Sequence, residues 1–511
     1  MISNYSHTLL VLGNINLKNN LSFFMIFKST IIIFASLAIT SIAIAQQWAP
    51  VGDNNLRRDV ELLKTYNIIQ GPVNTWPMSW RQITSNINMS LEQTYSAHIM
   101  RAIDRVRSKI PNKGLRGSLT ARYTNEPSLV RGFGDTARSD ADMTVSTGLT
   151  KETIDVNVSV NYRDNVNFEN NNINFDNSYI ATNLGNWTLY AGAIDRWWGP
   201  GQDNTLLLSS NARPMISVGL RRIDPKLSKT KWLSWVGPWT WDVFVADMGN
   251  NRHIPSAMMA GMRLGLEPIK NFEIGLSRTM QLCGTGRPCN TDTWVKSIIG
   301  IWDLDNTGTE NEPGNQLASI DLSYSMNIGD KSLKIYAEGA AEDEWKIIPY
   351  QYSRLIGSAL TMPIGNRGDN LNFIAELSDS GDVLAWFFGK RQAGVMYGHH
   401  IYATGHRYDG RTLGHSFDND SKLASISATY TRSLGEIYRI TLRTATINWD
   451  DTSRNIVSVI RQKYQSLELS ASKQFALGNL EVKMNLQSRT VTLTQGILPR
   501  FMGGITWRIN I

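Results

Sequence analysis

Apolar and polar residues alternate along most of the chain after Leu115. Between Ile154 and Tyr162, every second residue is Ile, Val or Tyr, and the residues between them are Asp, Asn or Ser. Alternation with a period of two places the apolar side chains on one face of a β-strand and the polar side chains on the other. The same pattern recurs at residues 320–326, 424–430, 467–472 and 480–487.

Two features favour a transmembrane β-barrel over a soluble β-sandwich, whose strands would also alternate. The polar face carries charges and amides, which suit a wet lumen, while the apolar face can meet lipid. The connections also alternate in length, as in outer-membrane barrels with short periplasmic turns and long external loops. Short turns are predicted near 150–152, 185–186, 268–271, 329–331, 433–435 and 475–478. Long loops are predicted near 125–142, 163–176, 196–214, 282–316, 343–354, 380–420 and 448–462.

We therefore expect a mainly β fold, an antiparallel transmembrane β-barrel of about 18 strands over residues 115–511. An even number of strands leaves both ends of the barrel in the periplasm. Residues 501–511 are predicted to form the closing strand. The connection 224–238 does not fit the pattern, because it is long at a position where a short turn is expected.

Residues 46–114 have a helical period instead. Asp53 can cap a helix that carries Leu56, Val60 and Leu63 on one face, and a second helix is predicted from residue 90 to residue 110. The capping box of that second helix begins at Ser90. This stretch is expected to be a periplasmic helical region at the mouth of the barrel.

The first 45 residues are predicted to be an N-terminal extension and a signal peptide. Lys28 precedes an apolar run over 31–44, and Ala43-Ile44-Ala45 is a cleavage site of the A-x-A type. A transmembrane anchor is the alternative, but the run is shorter than the roughly 20 apolar residues of a membrane-spanning helix. Whether the chain starts at Met1 or at Met25 is left open. Export to the outer membrane of a Gram-negative bacterium, with loops at the cell surface, is the expected localisation.

Composition and charge exclude several classes of protein. After residue 45 no apolar run could form a membrane helix, and 42% hydrophobic residues with a mean hydropathy of −0.24 are untypical of a helical membrane protein. The net charge of +7 is scattered along the chain, and no nucleic-acid motif accompanies it. We therefore expect no nucleic-acid partner. Because export leads to an oxidising compartment, Cys283 and Cys289 are expected to form a disulfide.

The sequence carries no clear motif for catalysis, for a metal or for a cofactor. No G-x-S-x-G elbow and no Walker loop occurs, and the acidic run 342–344 is read as solvated charge rather than a glycosidase pair. His399, His400, His406 and His415 lack a metal-ligand spacing. We expect no enzyme activity, catalytic residue, metal or cofactor.

The candidate binding residues fall in the predicted long loop after residue 194. Tryptophan rings can stack on the C–H faces of sugars, while charged groups hydrogen-bond hydroxyls or pair with uronates. The alternative is that this loop folds into the lumen and plugs the barrel, and the two roles can coexist. The candidates are Asp195, Arg196, Trp197, Trp198, Asn211 and Arg213.

Several segments resemble the capsule assembly Wzi family. They are residues 52–59, 72–80, 196–201, 206–214, 314–318 and 405–416. The last segment adds His406, Arg407, Tyr408 and Arg411 to the glycan-binding or plug candidates. The resemblance implies an eighteen-stranded outer-membrane lectin with a helical bundle at its periplasmic end. Such a protein anchors and organises capsular polysaccharide on the cell surface and has no catalytic residues.

The expected partners are capsular polysaccharide, outer-membrane lipid and lipopolysaccharide, with the protein itself a monomer. Two other functions stay open from the residues alone. A porin or substrate-specific channel would need an open lumen, which eighteen strands can enclose. A barrel enzyme acting on lipid or glycan would need its catalytic groups brought together by the fold.

Overall fold

Eighteen strands form a closed antiparallel barrel in a computed structural model that describes residues 48–87, 95–164, 171–227, 230–299, 314–342, 352–381 and 393–510. Each strand pairs with its neighbours in the sequence, and the last strand pairs with the first, with Trp507 opposite Ala121. The expected fold class and closing strand are confirmed. The predicted signal peptide and the predicted helix start at Ser90 lie outside the described residues.

The barrel strands are numbered β1 to β18 in chain order, and β4 consists of two pieces. In order, the strands are Gly114–Thr124, Ala141–Thr150, Ile154–Asp164, Ile173–Asn174 with Tyr179–Leu184, Trp187–Ala193, Ile216–Arg222, Trp239–Asp247, Met258–Ile269, Phe272–Leu282, Gly314–Ile328, Lys331–Glu342, Ser353–Ile364, Asp369–Asp379, Lys422–Thr431, Ile437–Ile447, Gln462–Phe475, Gly478–Gln487 and Phe501–Asn510.

The barrel is apolar outside and polar inside. In β10, Ile320 and Leu322 are exposed on the outer face, whereas Asp321 and Ser323 are buried toward the lumen. The same arrangement, with apolar side chains outside and polar side chains inside, holds in the other segments where apolar and polar residues alternate. An apolar outer face is stable against lipid, and buried charges are stable inside because they are paired there.

Four α-helices accompany the barrel in the described residues: α1 (Asn54–Thr65), α2 (Trp80–Thr84), α3 (Ala97–Ser108) and α4 (Thr291–Ile299). Asp53 caps α1 as predicted, since its side chain accepts from the backbone N–H of Asn55 and Leu56. Asp59 of α1 pairs with Arg105 of α3 at 2.7 Å.

No helix in the described part of the chain is both long enough and apolar enough to cross a membrane.

Helix α1 lies inside the barrel, near the end that carries the short turns. Glu61 accepts from Lys334 at the start of β11 at 2.9 Å, and Lys64 pairs with Glu267 near the end of β8 at 2.5 Å. Tyr66 donates to a carbonyl in the turn between β10 and β11. The N-terminal segment therefore fills part of the lumen.

The connections alternate between short turns and long loops as expected, and three further connections complete the series. A short turn joins Ile364 to Asp369, and long connections run from 248 to 257 and from 488 to 500. None of these three connections was predicted, and the inner face of β12 carries a buried Leu355 where the alternation predicts a polar residue. The unusual connection 224–238 is indeed long and contains the 3-10 helix Lys231–Val236.

Candidate functional site

Trp197 and Trp198 lie at the centre of the molecule and not at its surface. They pair as a short strand with Thr75 and Trp76 of the N-terminal segment, and both indole rings are fully buried. Phe133, from the loop after β1, packs edge-on against Trp76 at 5.1 Å and against Trp197 at 5.6 Å between ring centres. Three distant segments thus meet in one aromatic cluster.

Arg57 of α1 completes this cluster. Its guanidinium lies 4.5 Å from the centre of the Phe133 ring, and Nη2 donates to the carbonyl of Pro200 at 2.7 Å. Glu61 balances its charge at 3.1 Å. Although burial acts to raise it, Lys334 and Arg57 hold the pKa of Glu61 below its usual range. We call Arg57, Trp76, Phe133 and Trp197 the lumen cluster.

The loop that follows the lumen cluster is fixed to the barrel wall by inward carboxyl groups. The side chain of Glu376 in β13 accepts from the backbone N–H groups of residues 202, 203 and 204, at 2.7, 3.2 and 3.2 Å. Glu338 in β11 accepts from the N–H of Leu206 at 2.9 Å. Arg443 in β15 binds both oxygens of Asp203. The loop is therefore held across the lumen.

Two arginines among the binding candidates are also buried. Arg196 is buried and donates to Ser217 at 2.8 Å while its guanidinium lies 3.9 Å from the centre of the Phe244 ring. Arg407 binds both oxygens of Asp418 at 3.0 and 2.9 Å. Both guanidinium groups therefore hydrogen-bond to partners inside the protein.

Two buried histidines in the long loop between β13 and β14 hydrogen-bond to neighbouring segments. His406 donates from Nε2 to the carbonyl of Leu207 at 2.8 Å. His415 accepts at Nδ1 from the N–H of Phe417, so its Nε2 donates to Ser378. Burial lowers the pKa of each histidine to about 4. Both rings are therefore neutral at physiological pH.

Asn211, Arg213 and Arg411 lie elsewhere, at a cleft of about 260 Å³ on the side of the long loops. Arg411 donates to the side-chain oxygen of Asn211 at 2.9 Å. Arg213 pairs with Asp176 at 2.9 Å and with Asp409 at 3.2 Å. We call this the external cleft.

Sequence reasoning missed two further arginines of the external cleft. Arg131 donates to the carbonyl of Asn211 at 3.1 Å, and Arg138 donates to the carbonyl of Ser210 at 3.0 Å. Both belong to the loop 125–140, whose length was predicted. A sequence pattern does not show how such a loop folds back against a loop 80 residues away, so these arginines gave no local signal.

Part of the lining of the external cleft is aliphatic. It consists of side chains from the loop after β1, the loop after β15 and a hairpin, Val491–Leu493 with Gly496–Leu498, after β17. Among the described residues, the lining includes no aromatic side chain. The aliphatic residues are Leu129, Ile456, Val457, Leu493, Ile497 and Leu498.

Asp195 and Tyr408 belong to neither the lumen cluster nor the lining of the external cleft. Asp195 accepts from Asn177 at 2.8 Å and lies 3.7 Å from Arg138, and burial raises its pKa. Tyr408 is half-buried opposite Arg411 in a two-residue hairpin. Neither residue lines the external cleft, so the ten candidates do not form one site.

Two other expectations concern the loops. Cys283 and Cys289 are joined in a disulfide. His399 and His400 stack on each other at 4.6 Å, and no group of three or more His, Cys, Asp or Glu side chains in the described ranges could hold a metal ion.

A family model and a relative match this chain. The family model described as capsule assembly protein Wzi matches residues 110–495, more than half of the chain. A Klebsiella pneumoniae protein described as an uncharacterized 55.8 kDa protein in the cps region is 30% identical over 332 residues. The match covers 62% of this chain and 63% of that protein, so it spans less than two thirds of the relative's length.

One solved structure shares the fold. Wzi from Escherichia coli, described as an outer-membrane, carbohydrate-binding β-barrel involved in group 1 capsule assembly, superposes with a TM-score of 0.78 at 23% identity. That match covers 91% of this chain and 99% of the other. The Pseudomonas aeruginosa protein OccK5 reaches a TM-score of only 0.41 at 8% identity over 78% of this chain and 97% of that chain.

Proposed function

The chain belongs to the capsule assembly Wzi family, and from this premise we propose that it is a lectin-like protein that binds capsular polysaccharide at the cell surface. In this role it anchors and organises the polysaccharide on the outer membrane. The E. coli structure described as carbohydrate-binding supports the ligand class, and the apolar outer face of the barrel suits the membrane.

The observation that carries this proposal is the external cleft. Five connections contribute to it, all at the end of the barrel that carries the long loops. The guanidinium, amide and carboxyl groups of the lining can hydrogen-bond sugar hydroxyls, and its aliphatic side chains can cover the apolar parts of a sugar. A long polymer can reach a cleft at this rim without entering the lumen.

The contacts inside the lumen argue against the alternative function, a channel. Helix α1, the lumen cluster and the loop 199–208 occupy the interior and are hydrogen-bonded to several strands. A pore of useful width requires these contacts to break. We therefore propose binding rather than conduction.

We also propose an oligomeric state, membrane contacts and a processed N-terminus for the protein. We take the protein to be a monomer without enzyme activity, in contact with membrane lipid and lipopolysaccharide through its outer face. Residues 1–45 are proposed to be removed on export, and residues 46–114 to form a helical region at the periplasmic end. The lumen contacts of α1 agree with that position.

Deletion of the gene tests the function directly. We expect the fraction of capsular polysaccharide that stays with the cells to fall, and the fraction released into the medium to rise by a similar amount. Cell-associated and released uronic acid or total sugar are measured after gentle washing. Unchanged retention in the deletion strain would exclude the proposed function.

Complementation separates the external cleft from the barrel as a whole. The wild-type gene should restore retention, and Arg411→Ala should restore it only in part at equal protein level in the outer membrane. Glu152→Ala, at an exposed position in the turn between β2 and β3, is the matched control and should restore it fully.

A further inference from the structure

A row of polar and charged side chains crosses the outer face of the barrel where β12 to β16 reach the long loops. Arg354, Asp379, Lys422, Thr446 and Lys463 stand directly opposite one another in successive strand pairs, so they lie at one height on the wall. They occupy the outward positions of their strands, in phase with the exposed apolar residues. We call these five residues the cationic row.

The cationic row carries three cations and one carboxyl group. Asp379 lies 3.6 Å from Arg354 and 3.8 Å from Lys422. The side chains of Arg354 and Lys422 stay 32% and 45% exposed, and Lys463 is exposed as well. The loop after β15 leaves this balance unchanged, since its charged residues are Asp450, Asp451, Arg454 and Arg461.

An apolar groove lies directly below the cationic row, on the outer wall of β12 to β17. Its volume of about 870 Å³ falls within the range of about 300–1,000 Å³ that is typical of sites for small ligands. The small side chains Ser358, Ala375 and Ala424 make a depression between larger ones. We call it the outer groove, and its larger apolar side chains are Ile356, Leu377, Ile426, Leu442, Leu467 and Leu486.

The cationic row and the outer groove are aligned along the strands. On β14, Lys422 lies two residues from Ala424 and four residues from Ile426, all on the same face. Four residues of a strand span about 14 Å, which fits within the roughly 15 Å of hydrocarbon in one leaflet of a bilayer. An anionic head group at the row therefore places its acyl chains in the groove.

The outer face is different at the same end of β2 and β3. There the outward side chains Met143 and Tyr162 stand opposite each other, and both are exposed and uncharged. A surface of that kind accepts the acyl chain of any lipid. A row of cations at the level of the head groups adds a preference for an anionic lipid, because each lysine or arginine near the membrane surface attracts negative charge.

We infer that the cationic row and the outer groove bind a phosphorylated lipid of the outer leaflet, the lipid A part of lipopolysaccharide. Its phosphate groups pair with Arg354, Lys422 and Lys463, and an acyl chain lies in the outer groove. The inference rests on the contact with lipopolysaccharide proposed above and names the site of that contact. It is independent of polysaccharide binding at the external cleft.

Native mass spectrometry of the full-length barrel in a mild detergent tests recognition of the head group. Lipid A and lipid A stripped of its phosphates are titrated in parallel. We expect the stripped lipid to bind at least about fivefold more weakly, because its attraction to the lysines and the arginine is lost. Equal affinity for the two lipids would overturn the inference, as would displacement of lipid A by inorganic phosphate alone.

The double variant Lys422→Glu with Lys463→Glu tests the cationic row. Its matched control is Lys151→Glu with Lys270→Glu, which reverses two exposed lysines in short turns at the other end of the barrel. We expect the first variant to bind lipid A at least about tenfold more weakly than the wild type and the control to bind it equally. Equal binding by the two double variants would contradict the assignment of the head-group site.

Ala375→Trp tests the outer groove by filling it. Ala318→Trp is the control, because Ala318 is also exposed on the outer face but does not line the groove. Lipid A should bind at least about fivefold more weakly to Ala375→Trp and normally to Ala318→Trp. Equal binding by both variants would contradict the role of the groove. A dimer of the barrel that Ala375→Trp abolishes would mean that a second copy occupies the groove, and would also overturn the inference.

The wild-type protein separates the site from the contact itself. If the wild-type barrel binds lipid A and none of the variants weakens binding, the inferred site is wrong while the proposed contact with lipopolysaccharide stands. If the wild type binds no lipid A, that proposed contact is wrong as well. Capsule retention in the deletion strain depends on neither result.

Discussion

The lumen cluster and the external cleft use the same stretch of chain for different purposes. Trp197 and Trp198 begin the loop between β5 and β6, and Asn211 and Arg213 end it. The tryptophans are fully buried against the N-terminal segment, whereas Arg213 keeps part of its side chain at the surface. One loop thus fills the lumen at its start and lines the external cleft at its end.

This difference shows that residue type alone does not assign a role. Tryptophan and arginine suit sugar binding, but they equally suit the closure of a wide lumen, where large rings fill space and guanidinium groups satisfy loop carbonyls. Burial decides between the two roles. A fully buried ring contributes to stability, and a partly exposed guanidinium beside a cleft is available for recognition.

The largest expected effect is on stability, from Trp197→Ala. Removal of a fully buried indole leaves a cavity and should destabilise the fold by about 3–5 kcal/mol. Urea unfolding in detergent micelles measures this. Trp235→Ala is the control, since Trp235 is 69% exposed, and its effect should stay within about 0.5 kcal/mol. Similar unfolding midpoints for the two variants would contradict the closure role of the cluster.

Glu376→Ala should release the loop after the lumen cluster from the wall. Three backbone N–H groups lose their acceptor, and we expect a cost of about 1–3 kcal/mol together with ion conductance that the wild type lacks. Planar-bilayer recording measures the conductance. The exposed Glu152→Ala should remain silent. A silent Glu376→Ala variant would show that other contacts suffice to close the lumen.

Low pH should destabilise the fold through protonation of His406 and His415. Burial lowers each folded-state pKa to about 4, below the value of about 6.5 in an unfolded chain, because a second proton on His406 Nδ1 has no acceptor in the described structure. The unfolded chain therefore binds more protons between these values. Stability that is present above pH 6.5 should be lost as the pH falls toward 4.

Urea unfolding midpoints over this pH window check the histidine effect. Other groups titrate as well, so the comparison is with the double variant His406→Gln and His415→Gln. The pH dependence should be smaller in this variant than in the wild type, by roughly 1 kcal/mol per pH unit for each histidine. Equal slopes would exclude the two rings as the origin.

The smallest expected effect on stability comes from the external cleft. Arg411 is half-buried and donates to Asn211, so Arg411→Ala should change the free energy of unfolding by less than about 1 kcal/mol. The same urea titration applies. A loss as large as that of Trp197→Ala would mean that the cleft is a structural element and would remove the contrast between the two regions.

The sequence predicts the barrel well because its signal is local. Alternation within ten residues fixes the faces of a strand, and the closing strand from Phe501 was recognisable from its own pattern. Asp53 and the apolar face of α1 were predictable for the same reason. Where an inner face packs against a loop, as Leu355 packs in one cluster with Leu206 and Leu207, the alternation of apolar and polar residues is lost.

The candidate site was predictable only in part because it is built from distant loops. Asn211, Arg213 and Arg411 were singled out, but their separation from Trp197 depends on the path of the loop and not on its composition. Arg131 and Arg138 meet Asn211 and Ser210 from a loop more than 70 residues earlier in the chain. The aliphatic hairpin after β17 lies in a connection that the pattern did not predict to be long.

The most direct test of the account is the affinity of purified barrels for the capsular polysaccharide of the same strain. Wild type, Trp197→Ala and Arg411→Ala are compared under conditions in which all three are folded. The account predicts that Arg411→Ala weakens binding by roughly tenfold, the loss of one or two hydrogen bonds to a charged group, while Trp197→Ala binds like the wild type. Loss of binding in Trp197→Ala with full binding in Arg411→Ala would contradict it.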